Sequence, residues 1–555
     1  MRPQLMLSFY IFLTALFAAL LAVPALRRWA LGTGSLDLPD EERKVHSQAT
    51  PRLGGVAIFL AFLFAMLMFK EFNLQVRALM AGGLIIFVTG LADDLVGLSP
   101  GRKFAGQILA CLVTMTVGDL YLSNLGDLFG FGEIVLPLWL AIPFTVFAVV
   151  GMINAVNLID GLDGLAGGVT VIALATFFVL DLHAGSGECM ILCAALLGGV
   201  LGFLKYNVYP ARIFMGDVGS LLVGFLLGFL AIQLTQNPGQ SISPMVPVLV
   251  LGVPIIDTVW VMTQRMLCGG SPFVADRTHL HHKFLDLGVQ HRFTVLIIYG
   301  LSLFGAVCAL QLHEQPEYLL LAGYLAVSGL FYLALRFVLR HRDRFPLLQR
   351  DSQAGLKQTA AYRRMQDLAD LAVNGLKALV GLLLLLAVLA GGRASTQEAI
   401  FALAVVGSGA VLVWLTRDPG NHFFHGFLYL AGLVLIVLLE QAGGHRIVGE
   451  LDVARAGLIL YGLMAPLVVV KIIFKRPQEI YLSTPFDFLI LAMSLSLVIV
   501  SPEVTLAYNL PWIVGKAVLL FLALKIVAIS ARSYANQVCG AMLAALVIVV
   551  VRGLG

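Results

Sequence analysis

Aspartates interrupt the otherwise apolar sequence at three places: the pair Asp93-Asp94, the motif Asp160-x-x-Asp163, and Asp217. A carboxylate at the edge of a lipid bilayer is energetically costly and is usually functional. Carboxylate oxygens are also the ligands that Mg²⁺ prefers in proteins. These three stations therefore predict one metal-dependent site at a single membrane face.

The adjacent carboxylates of Asp93 and Asp94 repel each other unless a cation or a proton lies between them. They suit either Mg²⁺ binding through oxygen ligands or a general base whose pKa is shifted by its neighbour. The alternative is a helix end that simply faces water. The basic pair Arg102-Lys103, which follows, favours a functional site.

The segment 154–168 carries Asn157, Asp160 and Asp163 among glycines and contains no Lys or Arg. Their three-residue spacing predicts that a helical turn places all three side chains on one face. Amide and carboxylate groups without a neighbouring cation suit hydrogen bonding to a base or sugar, or the binding of a metal. This segment therefore predicts a substrate site.

Glycines also stand at the start of two predicted membrane helices. Gly54 and Gly55 either form a plain turn or allow an anion to approach the backbone closely. Asp217 lies between Gly216 and Gly219, directly before an apolar helix, and we predict that it is a metal ligand.

Three histidines, His279, His281 and His282, follow Arg277 in a polar loop. A Zn²⁺ site is one interpretation, but the loop contains neither a Cys nor an H-E-x-x-H pattern. Cationic or hydrogen-bonding contact with a diphosphate fits these side chains better.

Membrane helices must position these motifs, because the 555-residue chain is 59% hydrophobic and only 12% charged, with a mean hydropathy of +0.94. Soluble domains carry about 25% charged residues. Apolar runs of roughly 17–25 residues recur along the chain, which predicts an all-α polytopic integral membrane protein. We expect about eleven transmembrane helices in residues 1–340 and about seven in 374–555, joined by a basic cytoplasmic linker at 341–373.

Positive charge in the loops predicts how these helices are oriented. With the N-terminus outside, the cytoplasmic loops up to residue 364 contain 21 Lys and Arg residues, and the opposite loops contain three. This asymmetry follows the positive-inside rule. The same orientation brings every aspartate station and the histidine loop to the cytoplasmic face, although the rule does not count those residues.

The order of these motifs resembles the membrane family of polyprenyl-phosphate N-acetylhexosamine-1-phosphate transferases, of glycosyltransferase 4 type. The resemblance covers residues 1–340. It rests on Asp93-Asp94, on Asn157-x-x-Asp-Gly-x-Asp-Gly164, on Gly216-Asp-x-Gly-Ser220 and on the histidine loop. The sequence Asp276-Arg-Thr-His-Leu-His-His282 is similar to the undecaprenyl-phosphate GlcNAc-1-phosphate transferase branch, whereas phospho-MurNAc-pentapeptide translocase carries three consecutive histidines.

The resemblance implies the reaction and its setting. A HexNAc-1-phosphate group, expected to be GlcNAc-1-phosphate, passes from a UDP-N-acetylhexosamine to undecaprenyl phosphate, and UMP is released. The implied cofactor is Mg²⁺ or Mn²⁺. The implied location is the bacterial inner membrane, where this step initiates a cell-envelope glycan such as the O-antigen of lipopolysaccharide.

The same resemblance implies roles for individual residues. Asp217 is the expected metal ligand, and Asp93 or Asp94 activates or orients the lipid phosphate or shares the metal. The nucleotide sugar is expected at the 157–163 motif, and the diphosphate at the basic and histidine residues. The expected substrate-binding residues are Asn157, Asp160, Asp163, Lys103, Arg277, His279, His281 and His282.

Two other functions remain open for the sequence. A phospho-MurNAc-pentapeptide translocase-like step of peptidoglycan synthesis uses related chemistry, and a membrane transporter belongs to a different class. Transporters place acidic residues near the bilayer midplane within repeated halves, whereas these carboxylates lie at one face without an internal repeat.

The small net charge of +4 gives no indication of nucleic acid binding, and a homodimer is compatible with the sequence. The polar residues of 374–555 are scattered and form no clustered motif, and the role of this part is open.

Overall fold

The computed structural model describes most of the N-terminal part of the chain and a smaller share of the C-terminal part. The described residues are 2–33, 50–69, 72–185, 187–236, 242–267, 278–341, 360–390, 446–448, 451–474 and 510–530, with isolated positions at 269, 432, 436 and between 537 and 548. They fall into two compact units, one formed by the described residues up to 341 and the other by those from 360 onward.

Helices form the whole framework of the first unit. Their bounds are α1 Arg2–Thr33, α2 Gly54–Phe69, α3 Leu74–Val96, α4 Pro100–Gly118, α5 Leu138–Ile159, α6 Leu165–Ala184, α7 Glu188–Asn207, α8 Gly216–Gln236, α9 Met245–Val250, α10 Gly252–Leu267, α11 Leu280–Asp286, α12 His291–Leu312 and α13 Glu317–Arg340. All eleven apolar segments predicted before residue 341 coincide with helices. The ninth segment is divided into α9 and α10 at Leu251.

Ten helices in the described part of the chain are long and apolar enough to cross a membrane, and eight of them belong to the first unit. The apolar helix α2 has only 16 residues and is shorter than these. Large apolar side chains face outward, among them Trp139 and Phe147, each 75% exposed. Such surfaces are stable in contact with lipid. The all-α, multi-pass membrane class is therefore confirmed.

Helix α8 runs through the interior of the first unit and is buried along nearly its whole length. Glycines let its backbone approach its neighbours closely, as small residues do in membrane helix pairs. A Cβ atom at Gly55 of α2 would lie 2.1 Å from the Gly219 nitrogen, and one at Gly90 of α3 would lie 2.6 Å from the Val218 Cα. These contacts fix the N-terminus of α8 against α2 and α3.

The described part of the second unit contains three long helices and a short hairpin. They are α14 Ala360–Ala390, β1 Arg446–Val448, β2 Leu451–Asp452, α15 Val453–Ile473 and α16 Leu510–Ser530. The strands are antiparallel, and the three helices pack against one another. The remaining predicted helices of 374–555 lie outside the described residues. Because α14 begins at Ala360, the predicted boundary at 373–374 falls within one continuous helix.

A buried ion pair joins two helices of the second unit. Lys471 of α15 is fully buried, and its Nζ contacts Oδ1 of Asp370 on α14. Asp452 caps the start of α15, where its Oδ1 accepts the backbone N–H of Arg455 at 2.7 Å. The cap thus defines the start of α15, and the ion pair with Asp370 links α15 to α14.

Candidate active site

Two carboxylates and one ammonium group form the centre of the site. Lys103 Nζ lies 2.7 Å from Oδ2 of Asp93 and 2.6 Å from Oδ1 of Asp217. Asp93 lies in the last turn of α3, Lys103 lies in the first turn of α4, and Asp217 lies in the first turn of α8. The structure thus brings together three predicted residues that are up to 124 positions apart. Lys103, predicted for the diphosphate clamp, is paired here with carboxylates.

Asp94 binds the N-terminus of the helix that carries Asp217. Its Oδ1 accepts the backbone N–H of Asp217 and its Oδ2 accepts that of Val218, each at 3.0 Å. The first N–H groups of a helix lack intrahelical partners and carry partial positive charge, so a carboxylate is stabilising there. Gly216 just before them has φ +71°, and a Cβ at that position would lie 2.7 Å from Asp94 Oδ2. The motif needs glycine for this close approach.

The glycine pair at the start of α2 pairs with the segment that precedes Asp217. The Gly54 N–H donates to the Phe214 carbonyl at 2.9 Å, and the Gly55 N–H donates to the Met215 carbonyl at 2.8 Å. The Phe214 N–H donates in turn to the Pro51 carbonyl at 2.8 Å. The sequence left open whether these glycines form a turn or contact an anion. The structure uses their N–H groups to support the Asp217 segment.

Asn157, Asp160 and Asp163 surround the connection between α5 and α6. The prediction that they share one face of a helix is wrong, because α5 ends at Ile159 and Asp160 has left the helical conformation. Gly164, with φ +80°, then begins α6 from the left-handed region, which a continuous helix does not permit. The three side chains project from the end of a helix and from a turn.

These three residues nevertheless connect the turn to neighbouring parts of the site. Ser220 Oγ on α8 donates to Asn157 Oδ1 at 2.8 Å. The Ala211 N–H donates to Asp163 Oδ2 at 2.8 Å. Burial, followed by the negative charges of Asp217, Asp163 and Asp94, raises the pKa of Asp160 well above its ordinary value. The turn thus places a carboxyl group with a raised pKa beside the aspartate cluster.

The histidine loop lies against that turn. A Cβ at Gly161 would lie 2.4 Å from His281 Nε2, so the imidazole packs directly on the glycine. The His281 ring lies 4.2 Å from that of His282 and 6.1 Å from that of His279, measured between centroids. The three predicted histidines are therefore adjacent to the 157–163 motif. Arg277 lies outside the described residues.

Burial determines the charge of His281. The side chain is 2% exposed, and burial, with His282 contributing, lowers the pKa of His281 to about 3. The imidazole is therefore neutral near pH 7 and acts as a hydrogen-bonding group. Its two nitrogens have no hydrogen-bond partner within the described part of the chain. A neutral imidazole favours the hydrogen-bonding contact of the two predicted for this histidine.

Comparison with known proteins identifies the family. The profile of glycosyl transferase family 4 matches residues 76–235. The chain is 35% identical over 313 residues to a Bacillus subtilis protein named probable undecaprenyl-phosphate N-acetylglucosaminyl 1-phosphate transferase, covering 56% of this chain and 86% of that protein. The chain belongs to glycosyl transferase family 4.

Two further family 4 relatives have related names. A Mycobacterium tuberculosis protein named decaprenyl-phosphate N-acetylglucosaminephosphotransferase is 34% identical over 348 residues, which are 57% of this chain and 86% of the relative. A Yersinia pestis protein named undecaprenyl-phosphate alpha-N-acetylglucosaminyl 1-phosphate transferase is 31% identical over 351 residues, 60% of this chain and 94% of the relative. These names favour neither the translocase nor the transporter alternative.

Several residues of this family 4 site did not emerge from the sequence analysis. Asp257 on α10 accepts hydrogen bonds from the histidine loop, and Tyr332 on α13 donates to the same carboxylate at 3.1 Å. Asn207 accepts the Gly164 N–H at 3.0 Å and so supports the turn before α6. Asp257 carried a usable signal, because it is an isolated aspartate in an apolar helix, as Asp217 is. No comparable sequence signal marks Tyr332 or Asn207.

Proposed function

We propose that this protein transfers a HexNAc-1-phosphate group, expected to be GlcNAc-1-phosphate, from a UDP-N-acetylhexosamine to undecaprenyl phosphate. An oxygen of the lipid phosphate forms a bond to the β-phosphorus of the UDP-sugar. The bond from that phosphorus to the oxygen bridging the α-phosphate breaks, and UMP leaves. The convergence of Asp93, Lys103 and Asp217 carries this proposal, because phosphoryl transfer between two anions needs such a set of charges.

Mg²⁺ or Mn²⁺ fits the donors of the site. Asp93 Oδ2 and Asp217 Oδ1 converge on one positive group, the Lys103 ammonium, and both are hard oxygen ligands of the kind these ions prefer. Asp217 and Asp93 would hold the ion. When bound, it neutralises negative charge on the diphosphate and on the departing UMP. Lys103 would then exchange a carboxylate for a phosphate oxygen, in line with its predicted contact with the diphosphate.

The two adjacent aspartates receive different roles in this proposal. Both oxygens of Asp94 are occupied by the α8 N-terminus, so Asp94 orients Asp217. Asp93 Oδ1 accepts the Leu98 N–H at 2.7 Å, while its Oδ2 faces the charged centre. Asp93 is therefore the residue that activates or orients the lipid phosphate.

The nucleotide sugar is expected between the 157–163 turn and the histidine loop. Asn157, Asp160 and Asp163 supply amide and carboxyl groups for hydrogen bonds to the nucleotide sugar. Neutral His281 donates or accepts a hydrogen bond. Arg277, His279 and His282 are expected to complete the contact with the diphosphate.

The isoprenoid chain of the acceptor is expected in an apolar cavity of about 220 Å³ between α9–α10, α12 and α13. Leu280, the residue after His279, forms part of its wall. The hydroxyl of Tyr324 donates to the Gly252 carbonyl at 2.8 Å and that of Tyr332 donates to Asp257. Because these two hydroxyls are bonded to protein and most of the other lining residues are apolar, the cavity suits a hydrocarbon.

The proposed location is the bacterial inner membrane, with the N-terminus outside and the active site facing the cytoplasm. The positive charge of the predicted cytoplasmic loops supports this orientation. A water-soluble UDP-sugar would reach the site from the cytoplasmic side. The step would initiate a cell-envelope glycan. Dimer formation stays a prediction.

Release of UMP by the purified full-length protein tests the proposal. We expect release from one UDP-N-acetylhexosamine that requires undecaprenyl phosphate and Mg²⁺ or Mn²⁺, and that stops on addition of a chelator. Asp217→Asn should abolish it. Asp127→Asn, in the loop between α4 and α5, is the matched control and should retain it. No release from any UDP-sugar by folded protein would overturn the proposal.

A further inference from the structure

Asp257 joins the histidine loop to α13. Its side chain lies in the apolar helix α10 and is 3% exposed. Oδ2 lies 3.0 Å from His279 Nδ1, and Oδ1 accepts the Leu280 N–H at 2.9 Å. Oδ1 also accepts the Tyr332 hydroxyl at 3.1 Å. One buried carboxylate thus binds a side chain and the backbone of the histidine loop as well as a neighbouring helix.

This arrangement determines which nitrogen of His279 faces the site. A carboxylate accepts hydrogen bonds, so the proton between the two groups belongs to His279 Nδ1. Nε2, at the opposite side of the ring, is buried and has no hydrogen-bond partner among the described residues. A buried polar atom without a partner is energetically unfavourable. Nε2 is therefore the atom of His279 that a ligand would satisfy.

Tyr332 limits the movement of Asp257. Its ring stacks on Trp260 of α10, with centroids 4.5 Å apart and planes 15° apart. The hydroxyl is consequently held in place by ring packing as well as by its hydrogen bond. A carboxylate held in this way fixes the orientation of the imidazole that it binds, as the outer partners of metal-binding and catalytic histidines do.

We propose that Asp257, supported by Tyr332, is a positioning residue that holds His279 with Nε2 directed at the substrate. This inference rests on the transferase function proposed above. Asp257 does not touch the substrate itself. It fixes the ring orientation of His279 and the tautomer with the proton on Nδ1.

Steady-state kinetics on the full-length protein test this role. Asp257→Asn keeps the shape of the side chain, but its amide NH₂ group favours the wrong tautomer of His279. We expect kcat/KM to fall by about 10–100-fold, as is typical when the outer partner of a histidine is changed. Tyr332→Phe should lower it by only a few-fold, because the carboxylate remains. Asp257→Glu should recover part of the loss.

A double variant separates positioning from a general effect on folding. If Asp257 acts through His279, then Asp257→Asn should cost almost nothing further in a His279→Gln background. Additive losses would overturn the proposal, as would a folded Asp257→Asn protein with unchanged kcat/KM. The melting temperature of each variant is measured alongside, so that loss of fold is recognised.

NMR of protein labelled with ¹⁵N-histidine provides a readout that needs no activity. We expect a downfield Nδ1 proton signal that disappears in His279→Gln and Asp257→Asn and persists in Tyr332→Phe. Inorganic pyrophosphate should shift the His279 Nε2 signal. Absence of the Nδ1 signal in the unmodified protein would overturn the positioning role even if transfer occurs. Its presence without any transfer would instead indicate that the proposed function is wrong.

Discussion

Asp94 holds Asp217 in place through the backbone: its Oδ1 accepts the Asp217 N–H at 3.0 Å, and its Oδ2 accepts the next N–H along the helix. Successive residues of a helix point about 100° apart, so its neighbour Asp93 faces a different group, Lys103. Adjacent carboxylates therefore avoid mutual repulsion by binding separate positive partners. One binds a helix terminus and the other binds an ammonium group.

The first prediction concerns Asp94→Asn. The substitution removes the negative charge that stabilises the N-terminus of α8, and it leaves one oxygen to accept a hydrogen bond. We expect about 1–3 kcal/mol of stability to be lost, with activity falling as Asp217 loses its position. Thermal unfolding in detergent and UMP release measure the two effects. An unchanged melting temperature combined with lost activity would show instead that Asp94 acts on the substrate.

The second prediction concerns Lys103→Met. Without the ammonium group, the carboxylates of Asp93 and Asp217 face each other uncompensated, so the variant should unfold at a lower temperature in chelator. Mg²⁺ or Mn²⁺ should raise the melting temperature of this variant more than that of the unmodified protein. Lys103→Arg, which keeps the charge, serves as control. A melting temperature of Lys103→Met that does not respond to either ion would contradict the metal site.

The third prediction uses Gly323, which lines the apolar cavity. A Cβ at this position would meet no atom within 4 Å, so a side chain can begin there without a clash, and Gly323→Phe should reduce the volume of the cavity. We expect the KM for undecaprenyl phosphate to rise about tenfold, the loss of roughly 1.4 kcal/mol of binding, while the KM for the UDP-sugar stays unchanged.

Gly329→Phe is the matched control for this cavity. Gly329 lies on the same helix, its Cβ position is also open, and it is not among the cavity-lining residues. An equal effect of both substitutions would show that the acceptor chain binds elsewhere.

The fourth prediction concerns pH. The pKa of His281 is about 3 in the folded protein and about 6.5 in an unfolded chain. Between these values the unfolded state binds more protons, so stability falls as the pH is lowered from about 6.5 toward 3. One proton changes the free energy of unfolding by at most about 1.4 kcal/mol per pH unit. Melting temperatures of His281→Gln should fall less steeply over this range, and an identical slope would contradict the assignment.

The sequence analysis predicted much of this site because charged residues are rare in apolar helices. Asp93, Lys103 and Asp217 meet as the motif order predicted, although no spacing rule relates α3, α4 and α8. Their meeting depends on glycine contacts such as Gly55 with Gly219, which position the helices. In the described residues up to 341, the helices also coincide with the predicted apolar runs.

Other features depend on packing and were not predictable from local patterns. The three-residue spacing of Asn157, Asp160 and Asp163 suggested a helix face, but glycines end the helix between them. The low pKa of His281 arises from burial, in a position where its ring packs on Gly161, 120 residues away in the chain. Tyr332 resembles any other aromatic residue of a membrane helix until its hydroxyl is seen to bind Asp257.

The Lys471–Asp370 pair bears on how the C-terminal helices are made. Lys471 is fully buried and lies in the last turn of α15, where a charge opposes membrane insertion by less than the roughly 2.5–3.5 kcal/mol of a lysine at the centre of a helix. Helix α14 is synthesised first and already carries Asp370 when α15 emerges from the ribosome. The remaining cost of inserting this end of α15 would therefore be offset by a residue made 101 positions earlier.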